Sequence, residues 1–297
     1  MSSPARSNSW VGVAAVSLSV IVFGLAPPLA RLAYDAGSNP VTLVVVRFLA
    51  ASTMLLLLLA WRRRRDRSPL GRAPVSLLLV IGIATAISSG GYMGAVEHIP
   101  AGMASLLFYT FPIQVTFLAA ALGQERLTAL RLGAGAVCLV GVALAIGVAP
   151  VFPNLIGVAM ALSAASGVAT LIVLSAKAMQ RMNQLAVQAS STLIALVFFM
   201  IWLASSGGPA WPTTSMGWAA LMVAALSSAV ANIIFLYGLG KIGAGRAALL
   251  ANLEPLTVLA LAPLILNEHL TWLQLAGAGL VLAAITILPI LESRKRD

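Results

Sequence analysis

Residues 99–128, IPAGMASLLFYTFPIQVTFLAAALGQERLT, and residues 242–271, IGAGRAALLANLEPLTVLALAPLILNEHLT, are two versions of one segment. They align without gaps at an offset of 143 (271 − 128), and thirteen of the thirty positions are identical. Apolar composition alone yields chance matches among Ala and Leu. It does not readily yield a matched proline in mid-segment, Pro112 and Pro255, followed by a matched exit, Glu125-x-Leu127-Thr128 and Glu268-x-Leu270-Thr271. Each copy is an apolar stretch long enough to cross a bilayer, which takes about 20 residues. The helices that follow echo each other too, with small-residue runs at Gly133 to Ala136 and Ala276 to Gly279.

The rest of the chain is of the same kind. Of 297 residues 60% are hydrophobic and only 9% charged, against about a quarter charged in a soluble domain. So few charges cannot build a water-facing surface, and the surplus apolar surface faces lipid. Ten apolar runs are long enough to span, at approximately 11–30, 41–61, 74–96, 101–122, 129–148, 154–174, 186–205, 216–237, 246–266 and 272–291. The expected fold is therefore an all-α integral membrane protein of ten transmembrane helices. No long polar stretch is left to form a soluble domain. The first run reads as a retained helix, not a cleaved signal peptide.

The net charge of +10 follows membrane topology. With the N-terminus in the cytoplasm, the cytoplasmic segments hold 16 of the 18 basic residues, including the cluster from Arg62 to Arg72. The other two, Arg31 and Arg47, lie within or beside spans. This bias predicts both termini inside and excludes a nucleic-acid-binding face, which would gather its charges on a soluble surface.

The repeat unit holds five spans, giving halves 1–150 and 151–297. Five is odd, so the second copy enters the membrane from the opposite side. Inverted repeats are a signature of secondary transporters, in which one packing is exchanged between two mirror-like states. The expected partners are lipid and a small-molecule substrate, with a coupling proton or an exchanged metabolite. The expected form is a monomer, and no cofactor is called for.

Arg47-Phe48, Pro112, Gly123-Gln124-Glu125-Arg126-Leu127-Thr128, Glu254-Pro255 and Asn267-Glu268-His269-Leu270-Thr271 together resemble the drug/metabolite transporter superfamily in its EamA-type branch, over nearly the whole chain. The resemblance implies a five-plus-five arrangement around a central cavity, and export or exchange of amino acids or related metabolites across a bacterial inner membrane. Members often carry Trp in the first helix of each half, where Phe23 and Ser166-Gly167 stand here.

Several residues are candidates for a central site. Glu254 is the only acid well inside a span, eight residues after Arg246 and so about 12 Å deep at 1.5 Å per residue. A carboxylate at that depth is costly and by default a functional hypothesis, the alternative being a structural acid bonded to a neighbouring helix. Arg47 sits about one and a half turns into its span; the favoured reading is a side chain snorkelling to the outer interface, the sharper one a partner for a carboxylate. Ser88, Ser89 and Tyr92 share one helix face, as do Ser228 and Asn232. Tyr109, Pro112 and Thr116 form a third face, with Asn252 and Pro255 on its repeat mate. Polar groups in lipid need partners, so these faces look inward, for a ligand or for hydrogen bonds between helices. Pro112 and Pro255 each remove a helix hydrogen bond and are candidate hinges.

Other chemistry is not supported. Glu97-His98 and Glu268-His269 hold the only two histidines, and their spacing matches no metal motif. Gly238-Leu239-Gly240-Lys241-Ile242-Gly243 spells the dinucleotide fingerprint but lacks the strand and βαβ unit that give it meaning. A catalytic set cannot be built at depth with both histidines outside the spans, so no enzyme is expected. The single cysteine, Cys138, lies in an apolar run and reads as buried and inert. A channel, or an intramembrane binding protein that does not transport, is the remaining alternative. In a variant lacking Cys138, single cysteines placed between Arg62 and Arg72 are expected to react only with reagents that reach the cytoplasm; external labelling near Asp66 would refute the topology.

Overall fold

The structure is a computed structural model. It describes residues 5–65, 69–122, 128–147, 154–242 and 271–294, with Leu250, Glu254, Thr257, Val258, Leu261, Leu264 and Ile265 as isolated positions between. The described residues form helices and no strands, apart from one bridge between Gly71 and Met182. In chain order these are α1 (Ala5–Gly24), α2 (Ala26–Asp35), α3 (Pro40–Arg65), α4 (Val75–His98), α5 (Ala101–Phe108), α6 (Phe111–Ala121), α7 (Ala129–Gly147), α8 (Leu155–Met179), α9 (Gln184–Ser205), α10 (Ser215–Ile242) and α11 (Trp272–Arg294). Among the described residues, seven helical stretches are long and apolar enough to cross a membrane, counting α1 with α2 and α5 with α6 as one each.

Two of these stretches are broken, and proline explains each break. Pro112 has no N–H for the carbonyl of Phe108, and its ring would clash with that carbonyl. The chain leaves the helix at Tyr109-Thr110 and re-enters it at Phe111. Pro27 and Pro28 act in the same way on the turn before them, and α1 and α2 meet at Leu25. The sequence reading has the first span ending near residue 30; α2 carries it on to Asp35, which places Arg31 on the helix. It likewise ends the second span near residue 61, whereas α3 extends to Arg65 and holds Arg62 to Arg65 in its last turn. There the cations face the negative end of the helix dipole.

Helix α4 packs on α8 and α9, α10 on α1, α2 and α3, α3 on α9, and α7 on α11. Lipid tails are as apolar as leucine, so helices in a bilayer associate by close van der Waals contact, which small residues permit. Here glycine supplies it. A Cβ at Gly167 would lie 2.8 Å from the Ala84 carbonyl oxygen on α4, and one at Gly91 would lie 2.8 Å from the Met160 oxygen on α8. Gly238 of α10 stands in the same way against Gly12, and Gly141 of α7 against Gly277. Leu43, Met93, Leu107, Phe199 and Leu221 fill the interior between the helices. Leu57 and Ile201, each 65% exposed, point outward, as lipid-facing residues should.

The ends of the bundle are fastened by backbone hydrogen bonds. At one end the Thr213 N–H and hydroxyl both donate to the Ala36 carbonyl, at 2.8 and 3.0 Å. Ser38 Oγ donates to Ala210 O at 3.0 Å, and Ala210 N to Thr42 Oγ1 at 2.9 Å. At the other end Asn183 N donates to Leu70 O at 2.7 Å and Arg72 N to Arg181 O at 3.1 Å. Arg62 Nη1 donates to Asn183 Oδ1 at 2.8 Å, and the same oxygen caps α9 at Leu185 N. Gly71, at φ +71° between these strands of loop, abuts Arg181 where a side chain would not fit.

Gly167→Val should force α4 and α8 apart, because the obstacle is backbone and cannot rotate away. Small-to-large changes at tight sites cost about 1–3 kcal/mol. A melting temperature in detergent several degrees below that of the parent protein is the expected result, with Gly167→Ala milder.

Candidate functional site

The polar side chains of the interior fall into two groups. The first lines a cavity of about 140 Å³ between α3, α4, α8, α9 and α10. Arg47 and Phe48 come from α3, Ser89 from α4, Gln188 and Thr192 from α9, and Ser228 and Asn232 from α10. Helical spacing explains the set. Gln188 and Thr192 stand four residues apart, as do Ser228 and Asn232, so each pair shows one face to the cavity. The hydroxyls of Thr192 and Ser228 donate back to Gln188 O and Ala224 O, at 2.8 and 2.9 Å. Among the described residues, the side chains of Arg47, Ser89, Gln188 and Asn232 make no hydrogen bond within the protein. Arg47 is half-buried in the wall of an internal cavity.

The second group surrounds Glu254. The Tyr109 hydroxyl donates a hydrogen bond to the Glu254 carboxylate. The proline break positions that tyrosine, since Tyr109 is the first residue beyond α5. Tyr92 is buried and also within electrostatic reach of Glu254. Its ring stacks on Phe108 at 4.4 Å between centroids, and Phe108, Tyr109 and Phe111 pack on one another at 5.5–5.7 Å. The hydroxyls of Tyr92 and Ser105 lie close but form no hydrogen bond of good geometry. Arg47 and Glu254 act on each other through space, with no direct ion pair between them among the described residues.

A short relay of hydrogen bonds starts at the break. Thr110 Oγ1 donates to Leu107 O at 2.8 Å, Gln114 Nε2 donates to Thr110 Oγ1 at 3.1 Å, and Ser166 Oγ donates to Gln114 Oε1 at 2.7 Å. The relay ties the broken segment to α8.

Of the residues expected at a central site, Arg47, Ser89 and Asn232 come together at the cavity, and Glu254, Tyr109 and Tyr92 come together beside it. Ser88 joins neither group, for its backbone lies against Gly167 in the crossing of α4 with α8. Asn252 and Pro255 lie outside the described residues, as do Glu268 and His269; Pro112 is described in its backbone alone. Glu97 and His98 lie side by side at 3.9 Å, and among the described residues no three His, Cys, Asp or Glu side chains cluster as a metal site would need. Gly238 to Ile242 is the last part of α10, not a phosphate-binding turn.

Gln188, Thr192, Thr110 and Gln114 were not among the expected residues. The four-residue spacing of Gln188 and Thr192 is the signal that would have found the first two. Gln114 is an amide in mid-span two residues past Pro112, conspicuous by the same depth argument that singled out Glu254.

Seven apolar helical stretches long enough to cross a membrane, two of them broken at proline, with a polar cavity among the helices, define a multi-pass α-helical membrane protein with an internal candidate site. The chain belongs to the EamA-like transporter family, whose family model matches twice, at residues 10–147 and 155–289. It is 25% identical over 284 residues to an uncharacterized transporter of Archaeoglobus fulgidus, covering 93% of this chain and 95% of that one. It is 26% identical over 201 residues to an uncharacterized transporter of Synechocystis sp., a match that spans 65% of this chain and only 60% of the relative's length. A crystal structure of a protein 18% identical superposes over 98% of this chain with a TM-score of 0.67, a likeness of fold. The protein is thus a multi-pass membrane transporter of the EamA family.

Proposed function

We propose that this transporter moves small metabolites, amino acids or related compounds, out of a bacterial cell across the inner membrane by alternating access. It works as a monomer of ten helices in two inverted halves, 1–150 and 151–297, with both termini in the cytoplasm. A coupled proton or an exchanged metabolite supplies the drive. The observation that carries this reading is the broken helix α5–α6, which presents Tyr109 to Glu254 beside the cavity that Arg47 lines. Discontinuous helices at a central polar site are the means by which secondary transporters hold a substrate. A cation in the cavity wall and an anion within its electrostatic reach suit a zwitterion.

The helix contacts support the inverted halves. Exchanging each helix for its counterpart in the other half turns the α4–α8 contact into the contact of α1 and α2 with α10, and α4–α9 into α3–α10; α3–α9 and α7–α11 map onto themselves. The end fastenings exchange as well, the 36–42 and 210–213 loops for the 181–183 and 70–72 loops. Bonds of this sort at both ends can close one face while the other opens. The gathering of Arg62 to Arg65, Arg72 and Arg181 at one end supports placing that end in the cytoplasm. Export is carried over from the family resemblance.

Glu254→Gln keeps the shape of the side chain and removes its charge. In vesicles loaded with an amino-acid panel it should slow transport roughly tenfold or more, since a hydrogen bond to a charged group is worth about 1.5–3 kcal/mol, while expression and folding stay near normal. Transport at the parental rate would assign Glu254 a structural role.

A further inference from the structure

We infer that the cavity beneath Arg47 is a carboxylate pocket for a substrate of about six non-hydrogen atoms, and that it turns away aromatic substrates. The inference rests on the transport reading above and narrows its substrate class. Two independent observations carry it, one of charge and one of size.

The first is a guanidinium in the wall of a cavity, with no hydrogen-bond acceptor among the described residues. Arginine presents five N–H donors and cannot shed its charge. An unpaired charge away from bulk water is costly, and the cost falls when an anion with matching hydrogen bonds arrives. Among the described residues no Asp or Glu lines the cavity, and Glu254 acts on Arg47 only at a distance. Ser89, Asn232 and Gln188 add further donors, none of them engaged with another described residue. A planar carboxylate fits the arginine fork with two parallel bonds. Thr192 and Ser228 have already given their protons to their own helices. Their oxygens can therefore only accept, which suits the ammonium or hydroxyl of the same substrate.

The second observation is volume. The cavity measures about 140 Å³. An engineered apolar cavity of about 150 Å³ takes up benzene, a molecule of six carbons, whereas sites for drug-sized ligands run to roughly 300–1,000 Å³. Phe48, Leu55, Leu171 and Ile233 supply the apolar lining, enough for a methyl or a short chain. Tyr92, Phe108, Tyr109 and Phe111 pack on one another and do not line this cavity, which leaves Phe48 as its one aromatic ring among the described residues.

The test uses the full-length protein in lipid nanodiscs and measures equilibrium binding of L-alanine, propionate, propylamine, L-tryptophan and inorganic phosphate. Alanine and propionate should bind; propylamine, tryptophan and phosphate should bind at least about tenfold more weakly. Arg47→Gln should weaken alanine binding by about tenfold to a hundredfold. Arg47→Lys should fall between, since lysine keeps the charge but not the fork. Ala51→Leu keeps Arg47 intact and shrinks the cavity, so it guards against a mere folding defect in Arg47→Gln; it should reject alanine while retaining glycine. Propylamine, tryptophan or phosphate binding as tightly as alanine would overturn the inference, as would an Arg47→Gln variant that binds alanine normally or a parent protein that binds no carboxylate. Uptake into vesicles separates this inference from the reading beneath it. Transport of propylamine or tryptophan without alanine leaves a transporter whose pocket is misassigned, whereas alanine binding without transport of anything leaves the pocket and removes the transport.

Discussion

In a bilayer every backbone N–H and C=O must find its partner inside the protein, because no water is there to supply one. That constraint makes the two broken helices informative. A regular helix satisfies itself and needs no neighbours. At the interruption the N–H and hydroxyl of Thr110 both reach the Leu107 carbonyl, and Thr110, Gln114 and Ser166 carry hydrogen bonds from there to α8. The relay thus ties α6 to α8 through polar side chains in mid-span. The same break ends α5 at the point where Tyr109 meets Glu254. A structural debt of the backbone and the placement of the candidate site share one origin, the proline at 112.

Close helix crossings do the complementary work. With little hydrophobic gain to be had between helices in lipid, the bundle depends on backbone approach at Gly91, Gly167, Gly238 and Gly141. These crossings, α4 with α8, α10 with α1 and α7 with α11, are the most extensive contacts between helices among the described residues. Fastenings at the ends, made of a few hydrogen bonds each, complete a frame that is firm at its crossings and breakable at its rims.

Much of this was legible in the sequence because membrane physics writes in large letters. Composition pointed to the class, and runs of about 20 apolar residues located the seven membrane-capable stretches among the described residues, while the run at 246–266 lies mostly outside them. Pro112 announced the interruption of the fourth run, although not that the break would fall two residues earlier, at Tyr109-Thr110. The site was legible only in part. Glu254 stood out because an acid in mid-span is rare, and the four-residue spacing of Ser228 and Asn232 pointed one face inward. Arg47 was harder. Its depth from the helix end is equally compatible with snorkelling and with facing inward, and only the rotation of α3 against α4, α9 and α10 decides between them. Gln188 and Thr192 were missed for a related reason, since near the start of a helix a polar residue reads as interfacial until its neighbours are known.

The two charges at the candidate site also separate scaffold from specificity. Glu254 corresponds across the repeat offset to Phe111, and Arg47 to Ser190, whose hydroxyl simply bonds back to Ala186 at 2.8 Å. Phe111 belongs to the aromatic stack. Each charged position thus has a neutral counterpart engaged in ordinary packing or helix bonding. A duplicated scaffold would by itself produce a pseudo-symmetric cavity, with like groups facing like. Discrimination between partners requires features that favour one orientation and oppose the rest. On the transport reading proposed above, a cation in one half and an anion in the other give the interior a direction that its fold lacks, so that a substrate with one acidic and one basic end would enter in a single sense.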